Sequence, residues 1–261
     1  MFLPEPQASL LNGIIFGIPL KTGKIFYEQI KTVGLLHIVV LSGTNISFIA
    51  AIVASLTKSF GKQLSILISI LIIIIFIIFI SPQAPVVRAG FMGVLTLVAI
   101  IYGRVTYPLF LLFLSALFTL AFWPQWLKTV SFQLSYSATL GIIIFSSWKL
   151  NLIKTSSKNK FFKTVVSYIN DNLKITLSAQ LFTLPIILIY FKEISLISPL
   201  ANLLVTPVIP TLMIFGFLTA FLGKISYFLG ILPSYICYGI TSYMTLVIGI
   251  LSKIPLAMIR F

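Results

Sequence analysis

The chain has 261 residues, of which 59% are hydrophobic and only 8% are charged, and its formal net charge is +14. Soluble domains carry about 25% charged residues, so this composition excludes a soluble fold and predicts an all-α, polytopic helical membrane protein. One cysteine excludes an intramolecular disulfide, and one histidine with four carboxylates excludes a zinc or di-metal hydrolase site within this chain. No P-loop sequence is present. We therefore expect no enzymatic centre, no metal and no cofactor.

The first predicted element is too short to cross a bilayer, which takes about 20 apolar residues. Its apolar run, residues 9–20, is broken by Gly13, Gly17 and Pro19. We interpret residues 1–33 as an interfacial or re-entrant piece. Roughly eight spans (seven to nine) follow, all within one transmembrane domain, 1–261. They are predicted at residues 35–56, 64–80, 86–102, 108–123, 131–148, 175–191, 199–222 and 233–251, with a short amphipathic helix at 161–169.

Basic residues are unevenly divided between the predicted loops. With residue 57 in the cytoplasm, the inner loops hold Lys58, Lys62, Arg104, Lys224 and the six lysines of residues 149–174. The outer loops hold no basic residue at 81–85, then Lys128, then Lys192 beside Glu193. The positive-inside rule then predicts that both termini lie outside the cytoplasm. Three lysines near the start lie outside against the rule, which an anionic partner or an upstream segment would explain: Lys21, Lys24 and Lys31.

The span at residues 35–56 carries polar groups that lipid cannot satisfy. It holds the only histidine, His37, followed by the Ser42-Gly43-Thr44-Asn45 stretch. This pattern predicts a segment that faces protein or a water-filled path, with a break near Ser42 and Gly43. On a continuous helix His37 and Asn45 would be about 80° apart and would share one broad face. Two interpretations remain: both side chains line a polar passage, or both form hydrogen bonds with neighbouring helices. Residue type alone favours the second.

Further polar side chains are expected inside the bundle. Arg88 is the only arginine within a predicted span, and it either pairs with a carboxylate, a carbonyl or a phosphate or extends to the outer interface. Uncharged amides occur in three more spans, at Gln133, Gln180 and Asn202. Each amide alone is expected to bond to a neighbouring helix, but together they indicate an aqueous interior.

Two further patterns concern helix packing. Gln133, Ser137 and Gly141 recur at i, i+4 and i+8, so they share a helix face that suits close packing or a wet lining. Pro207 and Pro210 interrupt the span at 199–222. They predict a broken helix of the kind that lines a cavity, with a hinge at the two prolines.

Four ordered stretches carry a resemblance to a known family. They are GLLHIVVLSGTNISFIA, PVVRAGFMGVLTLVAIIYGR, SFQLSYSATLGIIIF and SPLANLLVTPVIP, and together they cover about residues 34–210. They resemble the ComEC family of bacterial competence proteins, which form the inner-membrane channel for DNA uptake. One such stretch alone would be a weak signal, whereas four in the right order are specific.

The resemblance implies a multi-pass protein of the bacterial inner membrane that passes one DNA strand inward. By matching position it directs attention to Gly34, His37, Ser42, Gly43, Arg88, Gln133, Ser135, Gly141 and Asn202. Asn45 stands where many relatives have a second histidine. Larger relatives also have an OB-like β-barrel domain and a metallo-β-lactamase-like domain, and this chain shows neither. Degradation of the non-transported strand would then need another polypeptide, or a longer gene of which this chain is a fragment.

These observations support three hypotheses. The first is a channel for single-stranded DNA without its own nuclease, working with an external DNA receptor or nuclease and a cytoplasmic helicase or single-strand-binding protein. Surplus basic charge suits a phosphate backbone, uncharged polar groups let a strand leave again, and Phe132 and Tyr136 are the rings best placed for base stacking. The second is a secondary transporter of a small polar or anionic solute with a midplane site at Pro207 and Pro210. The third is a scaffold subunit that conducts nothing.

Overall fold

The structure, a computed structural model, describes residues 3–39, 43–80, 82–146, 160–255 and 257–260. Over these ranges the chain is almost wholly α-helical, which confirms the predicted all-α class. Its helices are α1 (Gln7–Phe16), α2 (Lys24–Val33), α3 (Leu36–Val39), α4 (Gly43–Leu56), α5 (Lys62–Ile80), α6 (Ala84–Ile101), α7 (Pro108–Phe122), α8 (Val130–Ser146), α9 (Lys160–Phe191), α10 (Ser198–Val205), α11 (Ile209–Ile225) and α12 (Tyr227–Leu251). Two short strands, β1 (Glu193–Ser195) and β2 (Met258–Arg260), complete the described fold.

Length and apolar composition confirm a polytopic membrane protein. Among the described residues, five helical stretches are long and apolar enough to cross a membrane: Lys62–Ile80, Ala84–Ile101, Val166–Phe191, Ser198–Ile225 and Tyr227–Leu251. Shorter apolar helices occur at Gln7–Phe16, Asn45–Leu56, Pro108–Phe122 and Val130–Phe145. The count of roughly eight spans stays a prediction, because the shorter helices fall below the length that spans a bilayer unaided.

Two helices extend further than the sequence predicted. The short amphipathic helix at 161–169 and the span at 175–191 are one continuous helix, α9, of 32 residues. Their separation was wrong because the polar residues between them are not helix breakers, and no glycine or proline occurs between 160 and 184. Helix α12 begins at Tyr227, whereas the prediction started it at Pro233. Pro233 lies inside α12, where the helix continues past the missing backbone donor.

The helices α1, α10, α11 and α12 form the terminal bundle, which contains the more deeply buried of the long apolar helices. Helix α1 packs against both α11 and α12, and its apolar side chains Leu10 and Ile14 are completely buried. Gly216 of α11 allows this approach, since a Cβ there would lie 2.0 Å from Ile15 Cδ1. Residues 1–33 were interpreted as interfacial or re-entrant. Burial of α1 inside a bundle suits the second alternative, and its place relative to a bilayer stays a prediction.

The central bundle, α4 to α9, is more open. Helices α4, α5 and α6 pack against one another, α6 also contacts α7 and α8, and α8 packs along α9. The α8–α9 contact is close at Gly141, where an added Cβ would lie 2.5 Å from the carbonyl oxygen of Ser178. The face with Gln133, Ser137 and Gly141 was expected to serve either close helix packing or a wet lining. At Gly141 it serves close packing.

The predicted break at the two prolines is confirmed. Residues Thr206–Val208 form a turn of 3-10 helix between α10 and α11, and Pro207 lies within it. Because Pro207 and Pro210 cannot donate backbone hydrogen bonds, the regular α-helical ladder is interrupted there.

The segments before α3 and after α12 meet at one end of the molecule. Strand β1 pairs antiparallel with β2, with Glu193 opposite Arg260. Lys31 Nζ of α2 lies 2.8 Å from Glu193 Oε2. Gly34, with φ of +74°, lies so close to Ser198 that a Cβ would be 2.8 Å from that residue's Cβ. An ion pair, a backbone pairing and a glycine contact thus join α2, α10 and β2.

Candidate functional site

Three of the four family-like stretches meet around the guanidinium of Arg88. Helix α6 carries Arg88 just over one turn from its start and contacts both α4 and α8. Arg88 Nη1 donates a hydrogen bond to Thr139 Oγ1, and Thr139 in turn donates to the Ser135 carbonyl oxygen at 2.8 Å. On the opposite side, Nη2 lies against Gly43, where a Cβ would be 2.7 Å away. The fold brings together three residues that lie far apart in the sequence, at positions 43, 88 and 139.

The charge at this point has no counterion in the described part of the chain. Arg88 Nε is buried and has no hydrogen-bond partner there. No described carboxylate lies within 4.0 Å of Arg88, and Glu193 is paired with Lys31. A desolvated guanidinium without an anion is costly, by several kcal/mol in order of magnitude. Arg88 is therefore a largely desolvated cation without a counterion among the described residues.

Asn45 and His37 occupy different environments. Asn45 is buried, and its Nδ2 donates to the Ile14 carbonyl oxygen at 2.8 Å. That carbonyl is among the last in α1, which lack partners within their own helix. His37 is exposed in α3, and its ring nitrogen Nδ1 lies 2.9 Å from the Gly34 carbonyl oxygen. Ser42 and the predicted break beside it lie outside the described residues. The proposed pore-lining role of all three stays a prediction.

The remaining candidates do not converge on Arg88. Gln133 Nε2 donates to the Leu127 carbonyl oxygen at 3.3 Å, and Ser137 Oγ donates to that of Leu134 at 3.2 Å. Gln180 is half-buried on α9. Asn202 is buried on α10, and its Oδ1 has no partner among the described residues. These side chains are polar groups distributed over three helices, and the structure does not gather them into one site.

An apolar groove of ≈ 740 Å³ lies between α7 and α8 and has Ser137 on its wall. Its other lining residues are mostly aromatic or aliphatic, among them Tyr107, Phe110, Phe113 and Tyr136. Phe132 is buried and stacks on Tyr136, with ring centroids 4.2 Å apart. Tyr136 also shares a hydrogen bond with Thr119. The two rings expected to offer stacking surfaces for bases are therefore stacked on each other.

Sequence reasoning missed two features. Thr139 was not singled out, although it stands in the Ala-Thr-Leu-Gly part of a family-like stretch on a predicted span. A cleft of ≈ 480 Å³ between α2 and the residues after α12 was also missed, and it brings Lys24 and Lys253 to one surface. The unexpected lysines near the start of the chain were the available signal for it.

Fold and site together define an all-α, multi-pass membrane protein with an arginine held between three of its helices. Comparison with known families is consistent with that class. The chain matches the Competence protein family over residues 17–261, and it belongs to this family. Membership supports a role in competence, the uptake of DNA. No curated protein and no solved structure matches the chain significantly.

Proposed function

We propose that the chain is an inner-membrane channel for the inward transport of single-stranded DNA, without its own nuclease. The observation that carries this proposal is the half-buried Arg88 guanidinium, which lacks a counterion among the described residues of a protein of net charge +14. Such a group attracts a polyanion. Uncharged Gln133, Gln180 and Asn202 would let the strand move on, because additional fixed cations would trap it.

The proposal includes an orientation and a set of partners. Both termini lie outside the cytoplasm, and the strand arrives from an external receptor or nuclease and leaves to a cytoplasmic helicase or single-strand-binding protein. The pairing of β1 with β2 and the Lys31–Glu193 ion pair support a common side for the two ends, since they hold α2 and the last strand together. The choice of the outer side rests on the uneven distribution of basic residues between the loops. Labelling of single-cysteine variants at Lys24 and Lys253 in intact cells by a membrane-impermeant maleimide tests it. Labelling only after membrane disruption would reverse the orientation.

The decisive test of conduction is uptake of a fluorescent single-stranded oligonucleotide by liposomes that contain the purified protein. We expect entrapment of the single strand and exclusion of the same sequence as a duplex. Equal entrapment of both, or none in a folded and inserted protein, would contradict the channel.

Uptake measurements on two leucine variants test whether Gln133 lies on the path of the strand. Gln133→Leu is expected to slow uptake of the single strand while the protein still folds, because it removes a polar group from a span. Gln125→Leu makes the same change at an exposed position of the turn between α7 and α8, and it should leave uptake unchanged. Equal rates in the two variants would remove Gln133 from the path.

A second candidate function is a secondary transporter of a small polar or anionic solute. The observation that favours it is the buried Asn202, whose Oδ1 has no described partner and which lies one turn before the 3-10 break at Thr206–Val208. Such a transporter would saturate with one small solute. The DNA channel would instead take single strands of any sequence, with binding that weakens as salt rises.

A further inference from the structure

Basic side chains from the two ends of the described chain meet in the cleft between α2 and the residues after α12. The cleft has a volume of ≈ 480 Å³ and is lined by Lys24, Ile25 and Glu28 of α2 and by Ser252 and Lys253 on the other side. The three α2 residues lie on the outward face of that helix, because the side chains on its opposite face are completely buried. The cleft is therefore open to a ligand from outside the protein.

Both walls of the cleft are anchored. On one side, Lys31 of α2 is paired with Glu193, with 2.8 Å between Nζ and Oε2. On the other side, the backbone nitrogen of Lys253 donates to the Ile250 carbonyl oxygen at 3.2 Å, so Lys253 continues the last turn of α12. Pairing of β1 with β2 joins the two sides, since β1 contains Glu193 and β2 follows Lys253 in the chain. The cleft is thus preformed, and Lys24 and Lys253 are the two cations that line it.

The cleft lies where a membrane-spanning helix ends. Helix α12 has 25 residues and is about 38 Å long, whereas the hydrocarbon core of a bilayer is about 30 Å thick. A helix of that length that crosses the core places its carboxyl end at the level of the lipid headgroups, and Ser252 and Lys253 directly follow its last residue, Leu251. Ile25, in the same cleft, is 79% exposed. Lysines beside an exposed apolar side chain are typical of a helix at a membrane interface.

The chemistry of the cleft matches one phosphate better than a nucleic-acid strand. Two lysines and one glutamate give it a formal charge of +1, and the successive phosphates of a strand would meet the carboxylate of Glu28. The described lining includes no aromatic ring on which a base could stack. Gln29 and Thr32 add uncharged hydrogen-bonding groups beside the lysines, and these suit the hydroxyl groups of a glycerol headgroup.

We propose that this cleft binds the headgroup of an anionic phospholipid, with Lys24 and Lys253 on the phosphate and Ile25 against the glycerol and acyl region. Phosphatidylglycerol, with one negative charge and a hydroxylated headgroup, is the matching class of lipid. The site also supplies the anionic partner that Lys24 requires outside the cytoplasm, against the positive-inside rule. The proposal does not depend on the DNA channel, because the same contact forms whichever solute the protein conducts.

Titration of the full chain in lipid-free detergent with phosphatidylglycerol, measured by native mass spectrometry, tests the site. Lys24→Gln and Lys253→Gln should each weaken binding of the first lipid molecule about fivefold, which corresponds to about 1 kcal/mol for one lysine near an anionic headgroup. Lys21→Gln removes the same charge from an exposed residue that does not line the cleft, and it should bind the lipid as the wild type does. Phosphatidylcholine, whose headgroup has no net charge, should bind the wild type roughly tenfold more weakly.

Two further variants test the sign of the charge effect. Glu28→Gln removes the carboxylate from the described lining of the cleft, so binding of phosphatidylglycerol should strengthen about fivefold. Lys24→Arg keeps the positive charge and should retain the affinity of the wild type. The substituted side chains are all exposed, so these variants are expected to fold.

Three results would overturn the proposal. The first is an equal affinity of wild type, Lys24→Gln and Lys253→Gln for phosphatidylglycerol. The second is equal binding of phosphatidylglycerol and phosphatidylcholine by the wild type. The third is displacement of the lipid by an equal concentration of inorganic phosphate or of a single-stranded oligonucleotide, which would assign the cleft to another anion. Failure of oligonucleotide uptake by liposomes would reject the channel and leave this site standing, whereas lipid binding that does not depend on the two lysines would do the reverse.

Discussion

The terminal bundle and the central bundle differ in how they are held together. In the terminal bundle, 39% of an 18-residue apolar segment of α12 is buried inside the protein. In the central bundle, only 11% of the equivalent segment of α9 is buried. The interior of the terminal bundle is filled by apolar side chains. Its polar groups are mostly hydroxyls that donate to carbonyl oxygens of their own helices. The central bundle holds Arg88 and exposes much of its surface. The contrast indicates that tight apolar packing is concentrated in the terminal bundle, whereas the central bundle holds the buried arginine.

Removal of a core side chain should break the terminal bundle. Leu212→Ala deletes a completely buried side chain of α11 and is expected to lower the free energy of unfolding by roughly 2–5 kcal/mol. Leu181→Ala makes the same change on α9, where the side chain is 58% exposed, and should have little effect. Equilibrium unfolding in mixed micelles measures both. Equal losses would show that the two bundles do not differ in packing.

Gly141→Ala tests whether the central bundle has a tight contact of its own. The added methyl group would lie 2.5 Å from the Ser178 carbonyl oxygen, so α8 and α9 must separate, at a cost of roughly 1–3 kcal/mol. Gly239→Ala on α12 meets nothing within 4 Å and should be neutral or stabilising by up to about 1 kcal/mol, as alanine favours helix. Thermal unfolding of the two variants should shift in opposite directions. A neutral Gly141→Ala would argue against close α8–α9 packing.

Asn45→Leu tests the bond between the bundles. It leaves the Ile14 carbonyl oxygen without its described side-chain donor, and we expect a loss of about 1–2 kcal/mol. Asn172→Leu removes a comparable bond, to the Tyr168 carbonyl oxygen, on an exposed part of α9 and should be close to neutral. Slower oligonucleotide uptake by Asn45→Leu at a temperature where it remains folded would add a role in the path. Wild-type uptake would confine Asn45 to a structural role.

The smallest expected effect concerns the ion pair at the end of the terminal bundle. A double-mutant cycle with Lys31→Gln and Glu193→Gln should give a coupling below about 1 kcal/mol, because both side chains are partly exposed. The coupling should decrease as salt rises. A larger, salt-independent value would place this contact among the main supports of the bundle.

The sequence predicted the fold best where apolar runs have clear boundaries. The spans at 64–80, 86–102 and 108–123 agree with α5, α6 and α7 within two residues. Elsewhere polar residues and a proline led to wrong helix limits. The mostly polar stretch at 170–174 was predicted to separate two helices, but α9 continues through it. Pro233 was predicted to begin the last span, but it lies inside α12. Helix limits depend on local chemistry, but proline inside a well-packed helix is tolerated when tertiary contacts compensate.

The candidate site was predictable only in part. The family-like stretches pointed to Gly43 and Arg88, and the structure brings these two together. The bond from Arg88 to Thr139 joins residues 51 apart, and that from Asn45 to Ile14 joins residues 31 apart. Such pairings follow from how helices pack, and no local pattern specifies them. Helical periodicity alone could not distinguish the buried Asn45 from the exposed His37.

The continuous helix α9 has a mechanical consequence. Its 32 residues make a rod about 48 Å long, whereas the hydrocarbon core of a bilayer is about 30 Å thick. The rod therefore extends into water, and Pro185 weakens its hydrogen-bond ladder six residues before its end. Beyond that end, Glu193 is fastened to Lys31. Helix α9 thus forms one continuous rod from Lys160 to the proline near its anchored end, so a force applied at its Lys160 end would be carried along the helix to the opposite membrane face.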